Sequence, residues 1–174
     1  MFSNFQSAYP FRFLGRFKRF DQELLRYSFI STKTGKKYIV EFEIFPNELY
    51  GMKFYLDDFK KSKDRYKMLT HLGEPRQVLR TLVAVGADFV QRYPESSIAF
   101  VGENRVGEDK NCTQRYRVYK MLTATMVSGA RFEHVILDEQ SAYLLINKCV
   151  SDIRQYIQNV QKYMVDNYSD FDSE

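Results

Sequence analysis

The 174-residue sequence has no tryptophan, two cysteines, two histidines and four prolines, and these shortages exclude several kinds of protein. Cys112, Cys149, His71 and His134 are too few and too far apart for a zinc site or a disulfide framework, so no metal is expected and the thiols read as free. No apolar run approaches the roughly 18 residues of a membrane span. The first six residues, Met-Phe-Ser-Asn-Phe-Gln, lack both the basic start and the apolar centre of a secretory signal, so the cytoplasm is the expected compartment. There is no Gly-x-Ser-x-Gly and no Gly-x-x-x-x-Gly-Lys, which leaves hydrolysis by an activated serine and P-loop chemistry without a motif.

What the chain does have is aromatic residues, 15 Phe and 13 Tyr, and a mild positive balance of +4 with a pI of about 8.9. The length fits a single domain over residues 1–174, with 1–7 and 169–174 expected to fray. Residues 8–20 interleave Phe11, Phe13, Phe17 and Phe20 with Arg12, Arg16, Lys18 and Arg19. One reading is a groove that stacks single-stranded bases and neutralises phosphates. The other is an edge strand with phenylalanines inward and cations outward.

Residues 27–31 and 37–45 predict a hairpin across Thr34-Gly35, and 50–56 alternate as a third strand with Tyr50, Met52, Phe54 and Leu56 on one face. Gly73-Glu74-Pro75 then opens a helix whose apolar positions run from Val78 to Val90, and Tyr93-Pro94 stops it. Residues 97–101 read as a short buried strand, 102–111 as a polar loop and 114–126 as a second helix. Residues 131–138 and 142–147 predict a closing hairpin, and Ser151-Asp152 caps a last helix. The expected fold is therefore α+β, with a mostly antiparallel sheet of about six strands and three main helices in the order β-β-β-α-β-α-β-β-α.

Two resemblances rest on particular residues. Tyr27-Ser28-Phe29-Ile30-Ser31, Thr34-Gly35, Gln77 to Val83, Arg92-Tyr93-Pro94, Gly102 and Arg115-Tyr116-Arg117-Val118-Tyr119 together resemble an uncharacterised bacterial family, best represented in Bacteroidetes, over about residues 26–128. That likeness implies no activity. The helix, strand and Arg-x-x-x-Tyr helix that follow the meander are also similar to GNAT-like acyltransferases, including versions carried by bacteriophages. This second likeness implies acetyl-coenzyme A as cofactor, its pyrophosphate at Leu72, Gly73 and Glu74, and Tyr119 as the acid that protonates the leaving thiolate. The chain departs from those enzymes in lacking their Arg/Gln-x-x-Gly-x-Gly/Ala loop, and Glu74 would repel phosphate.

Read from the residues alone, Arg115 and Tyr119 share a helix face, and with Arg105 they would grip an anion, with Arg117 nearby on another side. A solvated helix face with Tyr119 packed inward fits the same spacing. His134 reads as structural. Three functions stay open: a binding module for an anionic ligand or macromolecule, an acyl-coenzyme A enzyme, and a single-strand-binding protein at Arg12, Arg16, Lys18 and Arg19. A specific protein partner, such as one met between phage and host, belongs to the first of these. The sharpest expectation places the functional surface where the 102–111 loop meets the second helix.

Overall fold

A computed structural model describes residues 8–66, 72–101, 116, 120, 123–124, 127–138 and 142–168. Among them are seven strands: β1 (Phe11–Arg19), β2 (Gln22–Ile30), β3 (Lys37–Phe45), β4 (Leu49–Leu56), β5 (Ser97–Val101), β6 (Phe132–Leu137) and β7 (Ala142–Asn147). Two helices accompany them, α1 (Pro75–Arg92) and α2 (Ile153–Tyr168). The α+β class is as expected, but the strand count is corrected from six to seven by β1. In the expected second helix, Tyr116, Lys120, Thr123 and Ala124 are helical, and its other residues lie outside those described.

All strands form one sheet in the order β1-β2-β3-β4-β5-β7-β6. Every neighbouring pair is antiparallel except β4 and β5, which run parallel and are joined by the crossover through α1. A parallel pair needs such a connection, because a tight turn cannot return the chain in the same direction.

β1 escapes a simple alternating pattern because of a bulge. The register with β2 shifts between Phe13 and Gly15, and Gly15 takes φ +109°, a conformation that glycine adopts without strain. The extra residue inverts the alternation. Phe11 and Phe13 pack into the core, whereas Phe17 lies on the opposite face under the Arg26 guanidinium, 4.3 Å from its ring centroid.

α1 starts where Pro75 costs no hydrogen bond and ends where the Tyr93 amide bonds back to the Phe89 carbonyl. Its apolar stripe covers one face of the sheet. Phe89 stacks on Phe42 at 3.9 Å between centroids, and Val78, Leu82, Val85 and Val90 join the same core. α2, capped by Asp152 Oδ1 accepting from the Gln155 amide at 3.0 Å, covers the other face. Tyr156, Val160 and Met164 pack there on Leu49, Ala99, Leu144 and Ile146. β7 is buried along its whole length because it is sandwiched, with Tyr143 and Leu145 in one core and Ala142, Leu144 and Ile146 in the other.

Candidate functional site

Among the described residues the parallel ladder pairs Leu49 with Ser97 through Met52 with Phe100, and β4 continues to Leu56 beside β3. The carboxyl ends of β4 and β5 meet here as a fork, with β5 described as far as Val101. α1 runs back between the strands' ends, so its first turn lies at the same end of the sheet as the carboxyl ends of β4 and β5. This is the geometry at which ligands commonly bind in sheets with parallel strands, because outgoing loops and a helix start meet there.

A crevice lies at the fork, lined by Met52 and Phe54 of β4, Phe100 of β5, Leu79, Leu82 and Val83 of α1, and Thr123. The space there, open solvent included, is about 350 Å³. Its walls are apolar, so polar recognition has to come from the rim. Tyr116 is fully buried nearby and donates to Asp138 Oδ1 at 2.8 Å, and Lys120 Nζ reaches the same oxygen at 3.1 Å. The bond from Tyr116 and the Lys120 ammonium hold the Asp138 carboxyl below its usual range.

Of the residues expected to carry function, Arg105, Arg115, Arg117 and Tyr119 lie outside the described residues. Leu72 packs half-buried against the core, and Gly73 is exposed with φ +65°. Glu74 is buried, and its carboxylate turns inward rather than capping the helix. Four hydroxyls donate to it: Tyr9 and Ser31 at 2.6 Å, Tyr38 at 3.1 Å and Thr34 at 3.3 Å. Burial alone would raise its pKa, but the bonds from Ser31, Tyr9, Tyr38 and Thr34 outweigh it and hold the carboxyl below its ordinary value. The charge expected to repel a phosphate is thus taken up inside the protein. The residues of the Ser31, Thr34 and Gly73-Glu74 segments, far apart in sequence, meet at this one carboxylate.

The four cations of β1 do not share a surface. Arg12, which reaches Ser28 Oγ at 3.5 Å, and Arg19 lie on the face away from α1. Arg16 and Lys18 follow the bulge onto the other face, where Arg16 pairs with Glu23 at 3.2 Å.

A polar network around Glu41 was not anticipated. Its carboxylate, fully buried, accepts from Arg19 at 3.2 Å, Arg26 at 2.8 Å and the Tyr66 hydroxyl. Burial pushes its pKa up, but Tyr66 and the two arginines more than reverse this. Burial and the Glu41 charge push the Tyr66 phenol up to about 12. The sequence carries no signal for it: Glu41 and Glu43 alternate with Val40, Phe42 and Ile44 in β3, as in any strand with one solvated face. His134 is structural in its contacts, with Nδ1 2.5 Å from the Tyr143 hydroxyl, and burial lowers its pKa.

Among the described residues no three His, Cys, Asp or Glu side chains gather as metal ligands, and no helix is long and apolar enough to cross a membrane. Among the described residues the fold is that of a small α+β protein with a mixed seven-stranded sheet and a crevice at the parallel junction of β4 and β5. The chain belongs to a family of unknown function, DUF6934, whose family model matches residues 9–166. No curated protein and no solved structure matches it.

Proposed function

We propose that the protein is a binding module for an anionic ligand seated at the fork of β4 and β5. The observation that carries this reading is the apolar crevice between the parallel pair β4–β5 and the first turns of α1. Arg105, Arg115 and Arg117 are the anchors this reading assigns to the ligand's charge, and the crevice takes its apolar part. Guanidinium forks suit a carboxylate or phosphoryl group, and a helix start adds unpaired amides. The test is a thermal-shift screen against coenzyme A, nucleotides and short oligonucleotides, repeated with Arg115→Ala and Arg105→Ala. A ligand that stabilises the native chain and not these variants supports the reading. A ligand that stabilises all three equally places the site elsewhere.

An acyltransferase is the second reading, favoured by the same combination of a helix start and a parallel strand pair. Acetyl-coenzyme A would then lie along Leu72, Gly73 and Glu74, with Tyr119 as general acid. Stabilisation by acetyl-coenzyme A together with thiol release that Tyr119→Phe abolishes would replace binding by catalysis. Single-strand binding is the weakest of the three, because Arg12 and Arg19 lie on one face and Arg16 and Lys18 on the other. A protein partner, including one from phage–host conflict, is the outcome if no small ligand or oligonucleotide binds and affinity capture returns one protein through Arg115.

A further inference from the structure

The crevice at the fork has a continuation. A second crevice, about 280 Å³ with open solvent included, lies further along α1 between Gly86, Val90 and the strands β5, β6 and β7. Val83, Phe100 and Thr123 belong to the walls of both. We infer that the two are one apolar gap beneath α1, and that the ligand of the fork is a straight-chain fatty carboxylate whose hydrocarbon tail lies in it. The placing of the carboxylate rests on the proposed function, and the gap adds what the rest of the ligand is.

Shape is the first argument. Leu79, Leu82, Val83, Gly86 and Val90 line the two crevices at helical spacing, so they make one stripe along α1. From Leu79 to Val90 the stripe runs about 16 Å, given the α-helical rise per residue. The strands supply the opposite wall, from Met52 and Phe54 at the fork to Phe132 and Leu145 at the far end. A gap that follows one stripe of one helix is long and narrow. An unbranched chain fits that shape, and a ring system does not. The chemistry of the walls agrees, since among the described residues Thr123 is the one polar side chain in either of them. A space so lined holds hydrocarbon in preference to water.

Gly86 is the second argument. It is buried well inside α1, where glycine is the poorest helix former after proline. Its own helix aside, nothing lies within 4 Å of the place a Cβ would take. Close packing is therefore not what keeps a side chain out. Gly51 is the opposite case, since a Cβ there would lie 2.6 Å from the Phe45 ring. Val83 and Val90 flank Gly86 on the stripe, and the missing side chain holds the gap open between them. Leu79, at the other end of the stripe, stands in the first turns of α1. A ligand anchored at the fork by its charge thus has the gap as its continuation.

The test measures dissociation constants of the full chain for hexanoate, octanoate, decanoate and dodecanoate, each below its micellar concentration. Every added methylene should tighten binding about fourfold until the gap is filled. Gly86→Leu occupies part of the gap and should weaken decanoate about fifteenfold, as loss of two buried methylenes would, while leaving hexanoate unchanged. Arg115→Ala should weaken all four by one common factor. Should Gly86→Leu fail to fold, Gly86→Ala decides, because its methyl enters open space and should weaken decanoate about fourfold. Affinity that depends on Arg115 but not on chain length, or a length dependence that the Gly86 variants leave intact, overturns the tail in the gap and leaves the fork standing. A length dependence cut back by the Gly86 variants but indifferent to Arg115→Ala and Arg105→Ala supports the tail in the gap and overturns the anchors of the fork. Binding of none of the four overturns the inference, and the nucleotides of the thermal-shift screen then decide on the fork alone.

Discussion

Replacement of Glu74 by alanine tests whether one buried carboxylate joins four segments. It accepts from Tyr9 ahead of β1, Ser31 and Thr34 in the β2–β3 turn, and Tyr38 at the start of β3, while its own backbone opens α1. Hydrogen bonds to a charged group contribute about 1.5–3 kcal/mol each, and the two at 2.6 Å are the short ones. Alanine also removes the acceptor of the Tyr9 hydroxyl, in a buried residue. Because the carboxylate itself had to be desolvated, the net loss is expected at about 3–5 kcal/mol, or roughly 6–20 °C in melting temperature for a chain of this size. Glutamine keeps one acceptor oxygen, and hydroxyls can turn to accept from its amide, so Glu74→Gln should cost only about 1–2 kcal/mol. Urea denaturation of the three proteins at neutral pH measures both values. The folded carboxyl is held below its ordinary value, so its contribution is complete above the ordinary carboxylate range. It is lost as pH falls through the depressed folded value, and the alanine variant should converge on the native protein over that acid limb. A loss of no more than about 0.5 kcal/mol for Glu74→Ala, typical of a surface change, would refute the reasoning.

Two further outcomes follow from side chains in unusual settings. Burial, reinforced by Glu48 and Glu41 respectively, pushes Tyr50 and Tyr66 up to about 12, so the stability they contribute is complete below pH ~10 and lost as pH rises through their folded values; tyrosinate absorbance should rise together with unfolding. Independent titration near pH ~10 while the fold persists would contradict this. Phe20, at φ 53° in the β1–β2 turn and 94% exposed, holds a strained backbone while burying little, so Phe20→Gly should stabilise by about 0.5–1 kcal/mol. A loss of stability there would mean that the ring makes a contact worth more than the strain.

Much of the fold was legible because local pattern and final packing agree. The Val78 to Val90 stripe, Pro75 and Pro94 set α1, and the Tyr50, Met52, Phe54, Leu56 alternation set the inward face of β4. β1 was ambiguous for a physical reason: the bulge before Gly15 inverts the alternation, so phenylalanines and cations divide between the faces and no single period describes the strand. The fork is not a local property. It depends on the β4–β5 ladder, a pairing between residues distant in sequence. Glu74 misled in the same way, since a carboxylate before a helix looks exposed until Tyr9, Ser31, Thr34 and Tyr38 are brought around it. The cations Arg105, Arg115 and Arg117 remain assigned by spacing and by the proposed reading of the fork.

The parallel ladder bears on how the molecule comes apart. Among the described residues β3 and β4 share eight register pairs and β4 and β5 four, and the latter can form only after the long intervening chain has been closed. The β1–β4 meander, by contrast, is built from neighbouring hairpins, as is the β6–β7 pair. Those two blocks should gain structure early and independently, and the junction between them should lock late. Amide hydrogens of Ala99 and Phe100 would then exchange through a partial opening that leaves the β2–β3 ladder protected, giving the sheet a seam along which its two parts separate before either one melts.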